Sequence, residues 1–354
     1  MKSNYNQLGQ YIEMVSRTNS DLKYGIEDVR GCSNTKQMMQ TRANLIGRTY
    51  EKFIVLKPQE FVFNRRTTRN GEKIGMAYNN TDREYIFTND YVAFRVKQEY
   101  LDKLLPDYLY MFFCRDEFDR YARYKSTGSA TEFFNWEDMC AVPFKIPPMD
   151  FQQLIVNTYK VLNERIALKQ KINDNLEAML AAVFADTFSA DNAAERSKLS
   201  ELMSFGNGKS RPKTDGTIPV YGGNGILSYT DQHNIENAIL IGRVGAYCGS
   251  VYLEQGICWV SDNAIYAKSK ISKDEFFDYF LLKGLNLFNH HVGTGQQLLT
   301  QEILNNIEVA KPDIEQIAAF NENAKAVYET IAKNENEIIR LQELSSLLLS
   351  RLAG

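Results

Sequence analysis

Histidine is nearly missing from this chain: His233, His290 and His291 are the only three in 354 residues. Adjacent histidines such as His290-His291 cannot face one ion as an i, i+4 pair does. The five cysteines, Cys32, Cys114, Cys140, Cys248 and Cys258, are scattered without a CxxC, so core thiols are the expected reading and no metal is assigned. No run of eighteen apolar residues occurs, and the start MKSNYNQLGQ carries no apolar h-region. Neither a membrane partner nor a signal peptide is expected, and the expected place is the cytoplasm. An excess of either charge is missing too, since 41 basic against 44 acidic residues leave a net charge of -3. An anionic partner would have to be met by local patches rather than by the chain as a whole.

Catalytic signatures are approached and then missed. Gly208-Lys209-Ser210 resembles the end of a phosphate-binding loop, but the required first glycine would fall at Met203, and Arg211-Pro212 follows where a helix should continue. Phe205-Gly-Asn-Gly lacks the FxGxG spacing of amino-methyltransferases, and Ile146-Pro-Pro-Met is not their NPPY-type turn. No Glu-x-Lys triplet completes a nuclease site, and Gly242-Arg-Val-Gly-Ala-Tyr-Cys-Gly is not GxGxxG. No catalytic residue is assigned.

What is there is a long amphipathic stretch, Asp150 to Ala185, in which Val161, Leu168, Ile172, Leu176, Met179 and Val183 recur at spacings of three, four or seven. Thirty-six helical residues make a rod of about 54 Å, more than one compact domain needs. A second rod lies at the C-terminal end, with Ile317, Ala324, Val327, Ile331, Ile338, Leu341 and Leu348 on a similar stripe. Each begins with a proline and an acid, Pro148-Met-Asp and Pro312-Asp-Ile-Glu.

The repetition extends upstream. Tyr108-Leu-Tyr-Met-Phe-Phe, Ser126-Thr-Gly-Ser-Ala, Asn135-Trp-Glu-Asp-Met and Pro147-Pro148 form one series. Phe277-Asp-Tyr-Phe-Leu-Leu, Gly293-Thr-Gly-Gln-Gln, Thr300-Gln-Glu-Ile-Leu and Lys311-Pro312 form the other, about 164 residues on, a period that signals a duplicated domain rather than a solenoid. The expected organisation is a mixed domain over 1–147, a helix over 148–188, a second domain over 189–311 and a second helix over 312–354. The small, polar Ser189–Ser197 stretch serves as a hinge.

Strands are expected around Phe53–Leu56, Glu60–Phe63, Glu84–Thr88 and Tyr91–Val96, and a helix from Pro106 through Tyr124. In the second half strands are expected near Ile218–Tyr221, Ala238–Ile241, Ser250–Leu253 and Ile257–Val260, and a helix from about Lys273 to Asn289. Dense glycines there mark close backbone approach, to another strand or to a ligand.

Two basic segments stand out. Asn64 to Lys73 contains Arg65, Arg66, Thr67, Thr68, Arg69, Asn70 and Lys73, a set suited to phosphates and base edges, although an isolated basic loop is more often a solvated hairpin loop. The second holds Lys209, Ser210, Arg211 and Lys213 with no acid between Phe205 and Thr214.

Two β-rich domains each followed by a long helix, with Tyr221-Gly-Gly-Asn-Gly225, Ile241-Gly-Arg-Val-Gly-Ala-Tyr-Cys-Gly249 and Val260-Ser-Asp-Asn-Ala264, resemble the specificity subunit of type I restriction-modification enzymes over essentially the whole chain. Asp28-Val-Arg-Gly and Arg69-Asn-Gly-Glu-Lys-Ile in the first half resemble a common recognition-domain type of that family. The resemblance implies an α/β (α+β) fold: two globular target-recognition domains, two long helices pairing as an antiparallel coiled coil, and an internal pseudo-twofold repeat. It also implies a non-catalytic chain that reads a bipartite site on double-stranded DNA, each domain taking one half. The implied partners are two methyltransferase subunits and restriction (translocase/nuclease) subunits, with S-adenosylmethionine and ATP on those partners and no cofactor on this chain. Tyr221, Asn224 and Arg243 in the glycine motifs join the two basic segments as expected DNA-binding residues. The rival reading is a protein-only coiled-coil scaffold.

Overall fold

A computed structural model describes residues 5–41, 45, 47–67, 73–128, 131–188, 195–293 and 297–353. Packing divides the chain into two units, residues 1–167 with 338–354, and residues 168–337.

The first unit is built on a four-stranded antiparallel sheet in the order Ile12–Val15, Tyr91–Val96, Phe61–Asn64, Met76–Tyr78. Two hairpin-like pairs, Arg30–Cys32 with Met38–Gln40 and Ile54–Leu56 with Tyr85–Phe87, accompany it. One face carries Phe61, Phe63 and Phe94, which pack against Phe113, Phe134 and Trp136. The five phenylalanine rings are fully buried and Trp136 is half-buried, and their burial is a large apolar contribution to this core. The expected single helix from Pro106 through Tyr124 is two, Pro106–Phe113 and Asp116–Lys125. Proline opens the first, and Asp116, Glu117 and Asp119 in the first turn of the second favour a new start by complementing its dipole.

The second unit is built on a six-stranded sheet in the order Met203–Asn207, Ala264–Ser269, Ile235–Gly242, Val251–Val260, Ile218–Gly222, Gly225–Thr230. Every pairing is antiparallel except Val220 and Tyr221 beside Trp259 and Val260. The segments expected as two strands, Ser250–Leu253 and Ile257–Val260, form one ten-residue strand, whose pairing with Ile235–Gly242 shifts register between the pairs Glu236–Ile257 and Ala238–Glu254. The helix expected to run from Lys273 to Asn289 ends at Gly284, and Asn286, left-handed at φ 47°, turns the chain into a short 3-10 segment, Leu287–His290.

The same clasp closes each unit. Asn6–Gln7 pairs antiparallel with Pro143–Phe144, and Arg196–Lys198 pairs with Glu308–Ala310, in each case just before a rod begins. An amide from the rod then caps the aromatic helix. In the first unit Gln152 Oε1 accepts from Leu105 N (2.9 Å) while its Nε2 donates to Lys103 O and Pro147 O. In the second Asn321 Oδ1 accepts from Phe277 N (2.8 Å) while its Nδ2 donates to Ser272 Oγ and Asp274 O. Both amides are buried, so each hydrogen bond answers a donor or acceptor that would otherwise lie dry.

The rods span Met149–Thr187 and Ile314–Ser350 and pack antiparallel. In the second unit Lys169 meets Glu337 at 2.7 Å, Tyr328 reaches Glu177, and Phe184 packs on Phe320. In the first, Ile155, Val156 and Tyr159 join the core with Leu348, Leu349 and Leu352. The second rod turns the expected stripe inward, with Ile317, Ala324, Ile338 and Leu341 buried and Val327, Ile331 and Leu348 half-buried. The first rod does not. Val161 is 62% exposed, Leu168 58%, and Ile172, Met179 and Val183 are exposed as well. Its seam instead holds Ile155, Tyr159, Leu162, Ile166, Lys169, Asn173, Leu176 and Leu180, of which only Leu176 was in the expected stripe.

Candidate nucleic-acid interface

In the first unit the basic segment leaves the strand Phe61–Asn64 and returns through Ile74, and Asn64 N donates to Gly75 O (2.8 Å) to close the stem. Arg65 and Arg66 are exposed. The Arg65 guanidinium lies 5.6 Å from the centroid of the Phe133 ring, and Arg66 is 3.5 Å from Asp90, both members being well exposed. Such a surface pair is held weakly. Lys73 is exposed at 3.8 Å from Asp116. Thr67 is 3% exposed, and both its N–H and its hydroxyl donate to Glu132 O, so its hydrogen-bonding capacity is spent inside the fold. Thr68, Arg69 and Asn70 lie outside the described residues.

In the second unit Lys209, Ser210, Arg211 and Lys213 are all exposed, and among the described residues the three cations have no ion pair. The backbone beneath them is fixed: Lys209 N donates to Val260 O (2.9 Å), and Trp259 Nε1 donates to Lys209 O (3.4 Å). Gly208 is required here, because a Cβ would stand 1.9 Å from Ser261 O. Close approach at this glycine is therefore to another strand. Gly249, at φ +84°, serves a similar end against the backbone of Phe288.

The motif residues divide. Tyr221 is buried, and its hydroxyl donates to Glu254 Oε2 (3.0 Å); burial and that carboxylate push its pKa up, so it stays a protonated structural link. Asn224 is exposed at the tight turn between Ile218–Gly222 and Gly225–Thr230. Arg243 is half-buried, with its backbone joined to Asn263 and Leu299 and its buried Nε without a hydrogen-bond partner among the described residues. A buried donor left without an acceptor is costly, so this Nε is a polar group that the described residues leave unanswered.

Sequence reasoning passed over the exposed Tyr229 and Tyr247, the second of them in the Gly245–Tyr247 turn four residues after Arg243. An aromatic ring flanked by glycines and a nearby cation was the available signal. The thiols offer no chemistry: burial pushes Cys32 and Cys258 up to about 12 and Cys114 to about 11. No group of three or more His, Cys, Asp or Glu side chains placed to hold a metal occurs among the described residues.

A family model described as "Type I restriction modification DNA specificity domain" matches the chain twice, over residues 16–178 and 193–341. No curated protein sequence is significantly similar to it. Among solved structures, a crystal structure of a type I restriction-modification system S subunit from M. genitalium aligns over 98% of this chain and 95% of its own, at 16% identity and TM-score 0.58. A chain from a study of complex assembly and conformational transition of the type I R-M system aligns over 98% and 96%, at 17% identity and TM-score 0.50. At these identities the likeness is one of fold.

Proposed function

Because the chain belongs to the type I restriction-modification DNA specificity family, whose subunits are non-catalytic, we propose that each unit reads one half of a bipartite sequence on double-stranded DNA. The observation that carries this is the twofold family match together with exposed cations in each unit: Arg65, Arg66 and Lys73 in the first, and Lys209, Arg211 and Lys213 in the second. Phosphate contacts supply affinity, while exposed Arg and Asn side chains such as Asn224 supply forks for base edges. Arg243, half-buried in the glycine motif, completes the second set as a further cation.

The partners follow from the duplication. Two methyltransferase subunits are held, one by each repeat, because both strands of an asymmetric site need an active site that flips its own base. The exposed apolar residues of the first rod, Leu168, Ile172, Met179 and Val183 in the second unit and Leu154 and Val161 in the first, supply docking surface. A solved chain with this fold comes from a study of complex assembly in the type I R-M system, which supports association with other subunits. Restriction subunits join the same complex in the cytoplasm, and S-adenosylmethionine and ATP sit on the partners. The test is selection of a randomised duplex library by the assembled complex, with native mass spectrometry of the same sample. Two defined half-sites at fixed spacing and two methyltransferases per chain are expected. Enrichment of no sequence overturns the reading and favours the scaffold alternative.

A further inference from the structure

The basic segment of the first unit is gripped at both ends by one short helix, Asp116–Lys125. At the exit, Asp119 Oδ1 accepts from Ile74 N (3.0 Å), and Lys36 donates both to Asp119 and to Ile74 O (2.8 Å). Lys36 is 4% exposed and Asp119 5%, so this is a true buried ion pair. Lys36 is itself brought inward by a left-handed turn (φ 63°), with its carbonyl receiving the Tyr110 hydroxyl (3.2 Å). At the entrance, one turn later on the same helix, Arg123 holds Glu132 at 2.8 Å. Glu132 O takes the N–H of Thr67 (3.0 Å), and Phe134 N donates to Arg65 O (2.9 Å).

A buried ion pair is a poor way to gain stability, since desolvation of two charges offsets most of their attraction, and apolar side chains of similar volume do as well. What it does supply is a unique register. Only one placement of Ile74 satisfies the Asp119 carboxylate and the Lys36 ammonium together, because its N–H and its C=O are each matched to an opposite charge. Six residues separate Thr67 from Ile74, so fixing these two points limits where Lys73 at one end, and Arg65 and Arg66 at the other, present their charges.

We propose that Lys36 and Asp119 are positioning residues for half-site recognition by the first unit, setting the register from which Arg65, Arg66 and Lys73 meet DNA. This rests on reading the first unit as a DNA-binding domain. The pair touches no DNA itself and acts through Ile74.

The test uses the full chain in its methyltransferase complex, with randomised duplex DNA as the probe. Lys36→Met/Asp119→Asn removes both charges together, avoids stranding one of them, and leaves an Asn oxygen to accept from Ile74. Discrimination against substituted bases is expected to fall at least tenfold in one half-site only, with the other half-site and binding to random-sequence DNA unchanged. Arg123→Ala, a surface change that leaves the core intact, should weaken discrimination in that same half-site two- to threefold. Parent-like base preferences in both variants overturn the inference, as does equal loss at both half-sites. A parent complex with no sequence preference overturns the DNA reading, and this inference falls with it.

Discussion

The two units share a clasp, an amide-capped aromatic helix and a rod, yet they treat buried charge in opposite ways. The first buries Lys36 and Asp119 as a satisfied pair, with Ile74 closing the circuit. The second buries Asp278, 1% exposed, with neither carboxyl oxygen in hydrogen-bonding geometry to a partner among the described residues. In the sequence series Tyr108-Leu-Tyr and Phe277-Asp-Tyr the residue in the place of Asp278 is Leu109, fully buried and apolar. One scaffold thus tolerates leucine in one copy and an unpaired acid in the other. Burial raises the Asp278 pKa to about 7, an effect only partly opposed by the nearby Ser269 hydroxyl and reinforced by Glu275. Repetition of a fold preserves its hydrogen-bonded joints and leaves the chemistry between them free to diverge.

Exchanging the two residues should produce the largest effect. Leu109→Asp puts an uncompensated acid into the aromatic core of the first unit and should cost about 3 to 5 kcal/mol. Asp278→Leu should stabilise the second unit at pH 8 and leave it little changed at pH 4. The sign follows from linkage. The folded protein holds a proton on Asp278 up to about pH 7, whereas an unfolded aspartate loses it near 4. Stability from this group is therefore complete below pH 4, declines between 4 and 7, and is gone above 7, a span on the order of 4 kcal/mol. Melting curves of the parent and of Asp278→Asn from pH 4 to 8 check it. A parent curve no steeper than the variant's would remove the contrast between the units.

A smaller effect should show that the joints are equivalent. Gln152→Leu and Asn321→Leu each strand buried backbone groups at the start of an aromatic helix, and each should lose about 2 kcal/mol. Similar losses confirm that two different amides at different rod positions do one job. A neutral result for either would make the likeness superficial.

The smallest stability change is expected on the outer side of the first rod. Met179→Ser in the second unit and Val161→Ser in the first should each shift folding by less than about 0.5 kcal/mol while weakening capture of the methyltransferase in a pull-down. If one repeat loses its partner and the other keeps it, the docking is as duplicated as the fold. A seam substitution, Leu180→Ser, should instead lower the melting temperature with or without the partner.

Much of the fold was legible because it is written in period and punctuation. Proline-acid entrances placed both rods, and β-branched and aromatic clusters placed the strands Ile54–Leu56, Phe61–Asn64, Tyr85–Phe87 and Tyr91–Val96. The short strands Arg30–Cys32 and Met38–Gln40 were not legible, since Arg30-Gly-Cys and Met38-Met-Gln carry no alternation; in the fold they pair with each other, and Ser33 beside them bridges to Met76. Of the candidate site, exposed cations were readable as clusters of like charge. That Thr67 and Tyr221 spend their polar atoms inside the fold was not, because a threonine or tyrosine has the same letter whether it faces solvent or a carbonyl 65 or a carboxylate 33 residues away.

By itself the amino-acid sequence determined that there are two copies of one plan, that each copy ends in an amphipathic rod, and that basic segments lie in both halves. Which side of the first rod faces inward was decided only by the tertiary structure. The sequence offers two stripes of helical period, one through Ile155, Tyr159, Ile166, Leu176 and Leu180, the other through Leu154, Val161, Leu168, Ile172, Met179 and Val183. Helical spacing fixes the angles between residues but not the direction of the core, so either stripe serves until the second rod covers one of them. The Lys36–Asp119 pair, 83 residues apart, is of the same kind. Charges that far apart in sequence acquire a meaning only when folding removes the water between them.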